Sequence, residues 1–189
     1  MKYNILYVDP PWEFQNKNTG GSMKSGANAH YNTMSIDELM DLDIDKVIDE
    51  NSVLFMWWVG SQPQVAIDLV NKWGFKLKNM NGFVWVKKTK NWKDFFGMGF
   101  WTRQGSENCL IAVRGNIKRD KNNIRSVVYE DDFSETIEAI NERHSKKPNI
   151  FRKKIVELMG DVPRLEMFAR EKCEGFDVWG DEIKSDVEI

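Results

Sequence analysis

The chain is short of the residues that build metal centres and disulfide frameworks. Its 189 residues include two cysteines, Cys109 and Cys173, and two histidines, His30 and His144. Neither a multi-disulfide scaffold nor a four-cysteine zinc site can be made from that set, and the spacings do not combine His with Cys as ligands, so no metal is expected. Long apolar runs are lacking as well: none reaches the roughly 18 residues that a membrane span needs. The N-terminus goes straight into Tyr3-Asn4-Ile5-Leu6-Tyr7-Val8 without the basic-then-apolar order of a signal peptide. An excess of one charge sign is also missing, with 27 Lys and Arg against 29 Asp and Glu for a net −2. Any surface for a polyanion must then be a local basic patch. These absences predict a soluble, intracellular protein with no membrane contact.

Apolar residues make up 41% and charged residues 30%, a balance that fits one folded domain across residues 1–189. A first strand at 3–8 is stopped by two prolines. The polar stretch 13–34 reads as a loop. Ser35 with Glu38 has capping-box spacing and opens a helix to about Asp49. Ser52 to Val59 reads as a buried strand. Val65, Leu69, Val70 and Trp73 mark a helix over 62–73 that Gly74 ends. Strands are expected at 82–86 and 108–113, with an irregular surface segment at 87–107 and a polar insertion at 116–125. Short strands at 126–129 and 136–139 compete for a place in the sheet. Pro148 starts a helix to Met159, and 164–169 is a last strand before a polar tail. Strands alternating with helices predict an α/β fold with an open, mainly parallel sheet and helices on both faces.

The informative motif is Asp9-Pro10-Pro11-Trp12, placed where the first strand ends. Open α/β sheets bind ligands at that edge. The lone pair of an adenine N6 amine is delocalised into the ring, and methylation requires it to localise on nitrogen. Two acceptors aimed at the two N–H groups favour that change, and strengthen as positive charge develops. The Asp9 carboxylate is one acceptor. The Pro10 carbonyl is the other, because Pro11 holds Pro10 extended. Trp12 offers a face for an extruded base, where stacking contributes about 1–3 kcal/mol. A general base is unnecessary, since the methylated ammonium loses its proton readily.

The chain resembles the MT-A70 family of adenine-N6 methyltransferases. The resemblance runs from Asp9-Pro10-Pro11-Trp12 through Leu54-Phe55-Met56-Trp57-Trp58-Val59 and Phe83-Val84-Trp85-Val86-Lys87-Lys88. Gly105-Ser106-Glu107-Asn108-Cys109-Leu110, His144-Ser145-Lys146-Lys147-Pro148, Arg164-Leu165-Glu166-Met167-Phe168-Ala169-Arg170 and Trp179-Gly180 follow in order. It implies a Rossmann-like methyltransferase fold and S-adenosylmethionine as cofactor. It also implies that Lys147 holds the cofactor's carboxylate, that Glu166 and Arg170 line its ribose and methionine portions, and that Asp9 and Phe168 are among the cofactor-binding residues. Arg164, Glu166 and Phe168 share one face of the expected last strand. Asp181 and Glu182 follow the closing Trp-Gly where relatives carry Asn with Glu or Gln, and acids still accept from ribose hydroxyls.

Trp57, Trp58 and Trp85 read as core, with Trp57 the best placed of them to meet substrate. Lys87, Lys88 and Arg103, together with Lys90 and Lys93, are the expected phosphate contacts. The resemblance implies DNA ahead of RNA as substrate and a compact bacterial or phage enzyme in the cytoplasm, and leaves a homodimer open as an assembly. The alternatives are an RNA methyltransferase and a non-catalytic nucleic-acid-binding subunit. Cytosine-N4 methylation typically starts from Ser-Pro-Pro, and Asp9 argues against it.

Overall fold

The first strand, β1 (Tyr3–Val8), is buried on both faces, which is why it reads as a near-continuous apolar run. Ile5 and Tyr7 face one half of the core, Leu6 and Val8 the other. The computed structural model describes residues 1–13, 34–89, 91–97, 99, 101–129 and 147–189. Within them run β2 (Ile48–Trp58), β3 (Lys76–Val86), β4 (Ser106–Arg114), β5 (Val127–Tyr129), β6 (Arg164–Met167) and β7 (Asp177–Trp179). These described strands form one sheet in the order β5-β3-β4-β2-β1-β6-β7. β4 is antiparallel to both neighbours, while the other adjacent pairs are parallel. β3 and β1 therefore point the same way, and the chain leaves β3 and enters β4 at the edge where β1 ends.

Two helices cover the Leu6–Val8 face. α1 (Ile36–Asp41) has the expected capping box: Ser35 N donates to Glu38 at 2.7 Å and Glu38 N to Ser35 Oγ at 3.2 Å. α2 (Pro63–Lys72) starts with Pro in its first turn and buries Ala66, Leu69 and Val70 at helical spacing. Gly74, at φ +75°, closes it: Gly74 N donates to Asn71 O and Phe75 N to Val70 O, both at 3.0 Å. α3 (Ile150–Met159) covers the Ile5–Tyr7 face with Phe151, Ile155 and Met159. The mainly parallel sheet with helices on both faces is as the sequence predicts. Among the described residues no helix is long and apolar enough to cross a membrane.

Several boundaries differ from expectation. The helix opened at Ser35 stops at Asp41, and a 3-10 turn at Ile44–Lys46 leads into β2 at Ile48. Pairing decides this: Tyr3 N donates to Val47 O at 2.7 Å and Tyr3 faces Ile48, so the sheet draws the segment out of helix. β6 ends at Met167 because Phe168 turns to φ +59°. The tail contributes β7, which pairs with β6. Of the two short strands expected, 126–129 joins the sheet beside β3. The one at 136–139 lies outside the described residues, as do nearly all of the loop 13–34 and Lys90, His144 and Lys146.

Candidate active site

β1 has β2 on one side and β6, from the far end of the chain, on the other. Its carboxyl end is thus a point where strand order switches direction, the position at which open α/β sheets form a crevice. Asp9 is the first residue past it. Pro10 is buried, and its carbonyl accepts Trp12 N at 2.8 Å, leaving one lone pair available. Met34 N donates to Pro11 O at 3.2 Å. The indole N–H of Trp12 donates to the Trp57 carbonyl at 3.1 Å. The tetrapeptide is tied to the end of β2 through this last bond.

That bond also corrects the expected role of Trp12. Its ring is 7% exposed and packs in the core cluster of Leu6, Val8 and Met56. Trp12 is an anchor for Asp9 and Pro10, not an open stacking face. Trp57 is a core residue, as its strand position suggests. It is 2% exposed, with Phe151 edge-on at 4.8 Å and the Lys147 ammonium 5.3 Å from its ring centroid. Its N–H donates to Tyr7 Oη at 2.8 Å, so no base reaches it in this arrangement.

Lys147 is the centre of the site. Its side chain is 7% exposed, and its Nζ lies 2.6 Å from Asp9 Oδ2 and 3.3 Å from Glu107 Oε2. Lys87 pairs with Glu107 from the other side. Burial raises the Asp9 pKa, and Lys147 offsets only part of that rise. Burial also disfavours the Lys147 ammonium, yet Asp9 and Glu107 outweigh it and hold Lys147 protonated well above the usual lysine range. For Glu107, burial pushes upward and is overcome by Lys147 and Lys87, so its carboxyl ionises below the usual range. The Asp9 side chain keeps 28% exposure. A cation and a partly open carboxylate thus stand side by side at the crevice.

Glu166 is placed differently from expectation. It is buried, and both its oxygens accept from Arg152, Oε2 from Nε and Oε1 from Nη2, each at 2.6 Å. The Arg152 guanidinium also lies 5.8 Å from the Tyr7 ring centroid. Glu166 is therefore a brace between β6 and α3, with each oxygen already accepting one bond from Arg152. Phe168 leaves the Glu166 face at its positive φ and meets Trp179 edge-on at 5.2 Å. Arg170 lies 3.9 Å from Glu182. Asp181 and Glu182 are exposed just beyond Gly180. A Cβ at Gly180 would sit 2.2 Å from the Ala169 carbonyl, so glycine lets this turn lie against the end of β6.

Of the expected phosphate contacts, Lys87 is engaged by Glu107 and belongs to the half-buried charge group around Lys147. Lys88 pairs with Asp94 at 2.7 Å, and Arg103 is exposed with its guanidinium 4.9 Å from the Phe96 ring centroid.

Two residues of this centre carry no role in the sequence reading. Glu107 has a detectable signal: it alternates in phase with Cys109, which is wholly buried, so an acid points inward. Arg152 sits at helical spacing with Ile155 and Met159 on the inner stripe of α3. The pH dependence of stability tests Glu107. Its folded pKa is lower than its unfolded one, so its contribution is full above the usual glutamate value of 4.5 and fades as pH falls below it. Thermal melts of Glu107→Gln should fall below wild type at neutral pH and converge with it in acid. A constant difference across that range would remove Glu107 from the ion-pair group.

The sequence model of the MT-A70 family matches residues 3–182. The chain is 30% identical to the type II methyltransferase M.MunI of Mycoplasma sp over 203 aligned positions, covering 96% of this chain and 78% of that one. It is 26% identical over 117 positions to the N(6)-adenosine-methyltransferase catalytic subunit METTL3 of Homo sapiens, covering 61% of this chain and 18% of the other. A similar likeness, 24% over 170 positions, joins it to the N(6)-adenosine-methyltransferase MT-A70-like of Arabidopsis thaliana, covering 89% of this chain and 22% of that one. The chain thus spans most of the first relative and under a quarter of the other two.

Proposed function

We propose that this chain, which belongs to the MT-A70 family, transfers the methyl group of S-adenosylmethionine to the N6 amine of adenine in DNA. The observation that carries the reading is the Asp9–Lys147 pair at the end of β1, with the Asp9 carboxylate still partly open. One cation and one anion side by side complement the carboxylate and ammonium of an amino acid, so the residues present fit the methionine end of that cofactor. Lys147 would hold the carboxylate and Asp9 the ammonium, with Arg170 and the exposed Asp181 and Glu182 toward the rest of the molecule. When bound, the cofactor supplies an electrophilic methyl carbon.

The chain's own groups do the remainder. Asp9 Oδ accepts one N–H of the adenine amine, and the free lone pair of the Pro10 carbonyl accepts the other. Both hydrogen bonds strengthen as the nitrogen becomes tetrahedral and cationic. Trp12 holds these acceptors in register by its bond to Trp57 O. Water then takes the proton. The likeness runs along more of both chains with the type II methyltransferase than with the adenosine methyltransferases, which supports DNA over RNA. On this reading the protein works in the cytoplasm of a bacterium or phage-infected cell. A homodimer is a state that light scattering would measure.

The deciding experiment incubates the protein and donor with separate DNA and RNA pools, then hydrolyses each to nucleosides for mass spectrometry. N6-methyl-2′-deoxyadenosine from the DNA pool is expected. Methyladenosine from RNA alone would move the substrate to RNA. No methylated base from either pool, together with no donor binding, would leave only a non-catalytic subunit. Lys147→Ala should weaken donor binding about 10- to 150-fold, the range for losing one hydrogen bond to a charged group. An unchanged dissociation constant by calorimetry would exclude the carboxylate contact.

A further inference from the structure

The segment between β3 and β4, residues 87–105, has a surface that the acceptor site does not use. It holds Lys87, Lys88, Lys90, Lys93 and Arg103 against a single acid, Asp94, in a chain of net charge −2. Every exposed tryptophan or phenylalanine among the described residues lies here: Trp92, Phe95, Phe96 and the fully exposed Trp101. Rings that served only to staple the loop would bury one another, and Trp101 has no cover. The segment folds back on itself through antiparallel bridges, Lys88 with Asp94 and Gly97 with Gln104.

Each turn presents an indole in an unusual conformation. Trp92 has φ 57° and Trp101 φ 64°, in the left-handed region that glycine enters without cost and an indole does not. Trp92 is fixed there by Trp92 N donating to Thr89 O and Thr89 N to Lys93 O, both at 2.8 Å. The Trp101 turn is closed between Gly99, where a Cβ would lie 2.4 Å from the Thr102 carbonyl, and the Gly97 bridge. At its base the flap is continuous with the site: Lys87 touches Glu107, Glu107 pairs with Lys147, and Lys147 with Asp9.

We infer that this flap is a base-stacking arm for the nucleic-acid substrate, in which Trp92 and Trp101 take unstacked bases on their faces. Lys93 and Arg103 meet the flanking phosphates, with Arg103 held over Phe96. The charge decides the occupant, because a net-positive, aromatic finger on an otherwise acidic body complements a polyanion with flat bases. Drawing an adenine out of a duplex leaves a gap in the stack, and an indole entering it offsets the unstacking. The inference rests on the proposed adenine methylation for the identity of the strand, and adds which residues grip it.

The test uses the full chain with Trp92→Gly, Trp101→Gly, the double variant, and Lys93→Gln with Arg103→Gln. Anisotropy of a labelled adenine-containing oligonucleotide gives strand affinity across a salt series. Calorimetry gives donor affinity, and melting gives stability. Each Trp→Gly variant should weaken strand binding about 5- to 150-fold, the equivalent of losing one base–aromatic stack. Donor affinity should stay unchanged, and Tm should hold or rise because glycine relieves the positive φ. The charge variants should instead lower the slope of affinity against salt by about 0.7–0.9 per cation removed. A double tryptophan variant that binds the strand like wild type overturns the arm, as does one that loses only self-association. Wild-type protein that binds the strand and stacks its bases without methylating any adenine would leave the arm standing and remove the proposed function. Methylation with an unaltered KM in the double variant would do the reverse.

Discussion

Asp9→Ala abolishes adenine methylation for practical purposes, with turnover expected to fall at least about 100- to 1,000-fold, as when one preorganised group at a developing charge is removed. The fold survives, because Lys147 keeps Glu107 as its second partner at 3.3 Å. A melt beside the assay separates lost chemistry from lost structure. Asp9→Asn keeps an oxygen acceptor without the charge and should fall between alanine and wild type. The pH profile gives an independent reading. Burial raises the Asp9 pKa above its usual value, so turnover should decline on the acid side sooner than an exposed aspartate would allow. Removing the opposing cation in Lys147→Met should carry that limb further toward neutrality. Undiminished turnover in Asp9→Ala would eliminate the acceptor site.

The second large effect is on stability. Arg152→Ala leaves Glu166 buried with neither oxygen paired, and breaking such a pair typically destabilises by about 3–5 kcal/mol. For a chain of this size that is a Tm loss of about 6–20 °C. Replacing both partners by apolar residues, Arg152→Met with Glu166→Leu, should recover most of it, because the uncompensated charge is the source of the loss. Glu166→Gln should leave donor affinity nearly intact. A large loss there, with the fold unharmed, would restore Glu166 to the cofactor and contradict its place as a brace. A Tm change in Arg152→Ala of only a degree or two would mean that the pair is not enclosed in solution.

Much of this organisation can be read before any coordinates. β1 announces itself because both its faces are covered, and its end is written in two prolines. α2 shows its face in Leu69, Val70 and Trp73 at helical spacing and its stop in Gly74, whereas its start at Pro63 and the burial of Ala66 come only with the structure. What stays hidden depends on contacts far along the chain. β7 is three residues long, too short for alternation to show, and exists only because β6 offers an edge. The early end of α1 is dictated by Tyr3, more than thirty residues upstream. The site divides in the same way. Asp9 is legible because its neighbours in sequence restrict what it can do. Lys147 is named by resemblance, since a lysine beside a lysine otherwise reads as solvated surface, and only the fold brings it to Asp9. The pairing of Glu166 with Arg152 stays hidden because Arg152 lies on another element.

The reversed strand in the sheet has a practical consequence. Had β4 run with its neighbours, the chain would have needed a crossover to reach it, and no hairpin tip would project beside the reaction edge. Because β4 turns back, the segment at 87–105 hangs from two strand ends, Val86 and Ser106. Because Lys87 belongs to the ion pairs that reach Asp9, only the part of the finger beyond it is exchangeable; on the proposed reading, new rings grafted there would change the grip on the strand and leave the Asp9 chemistry in place.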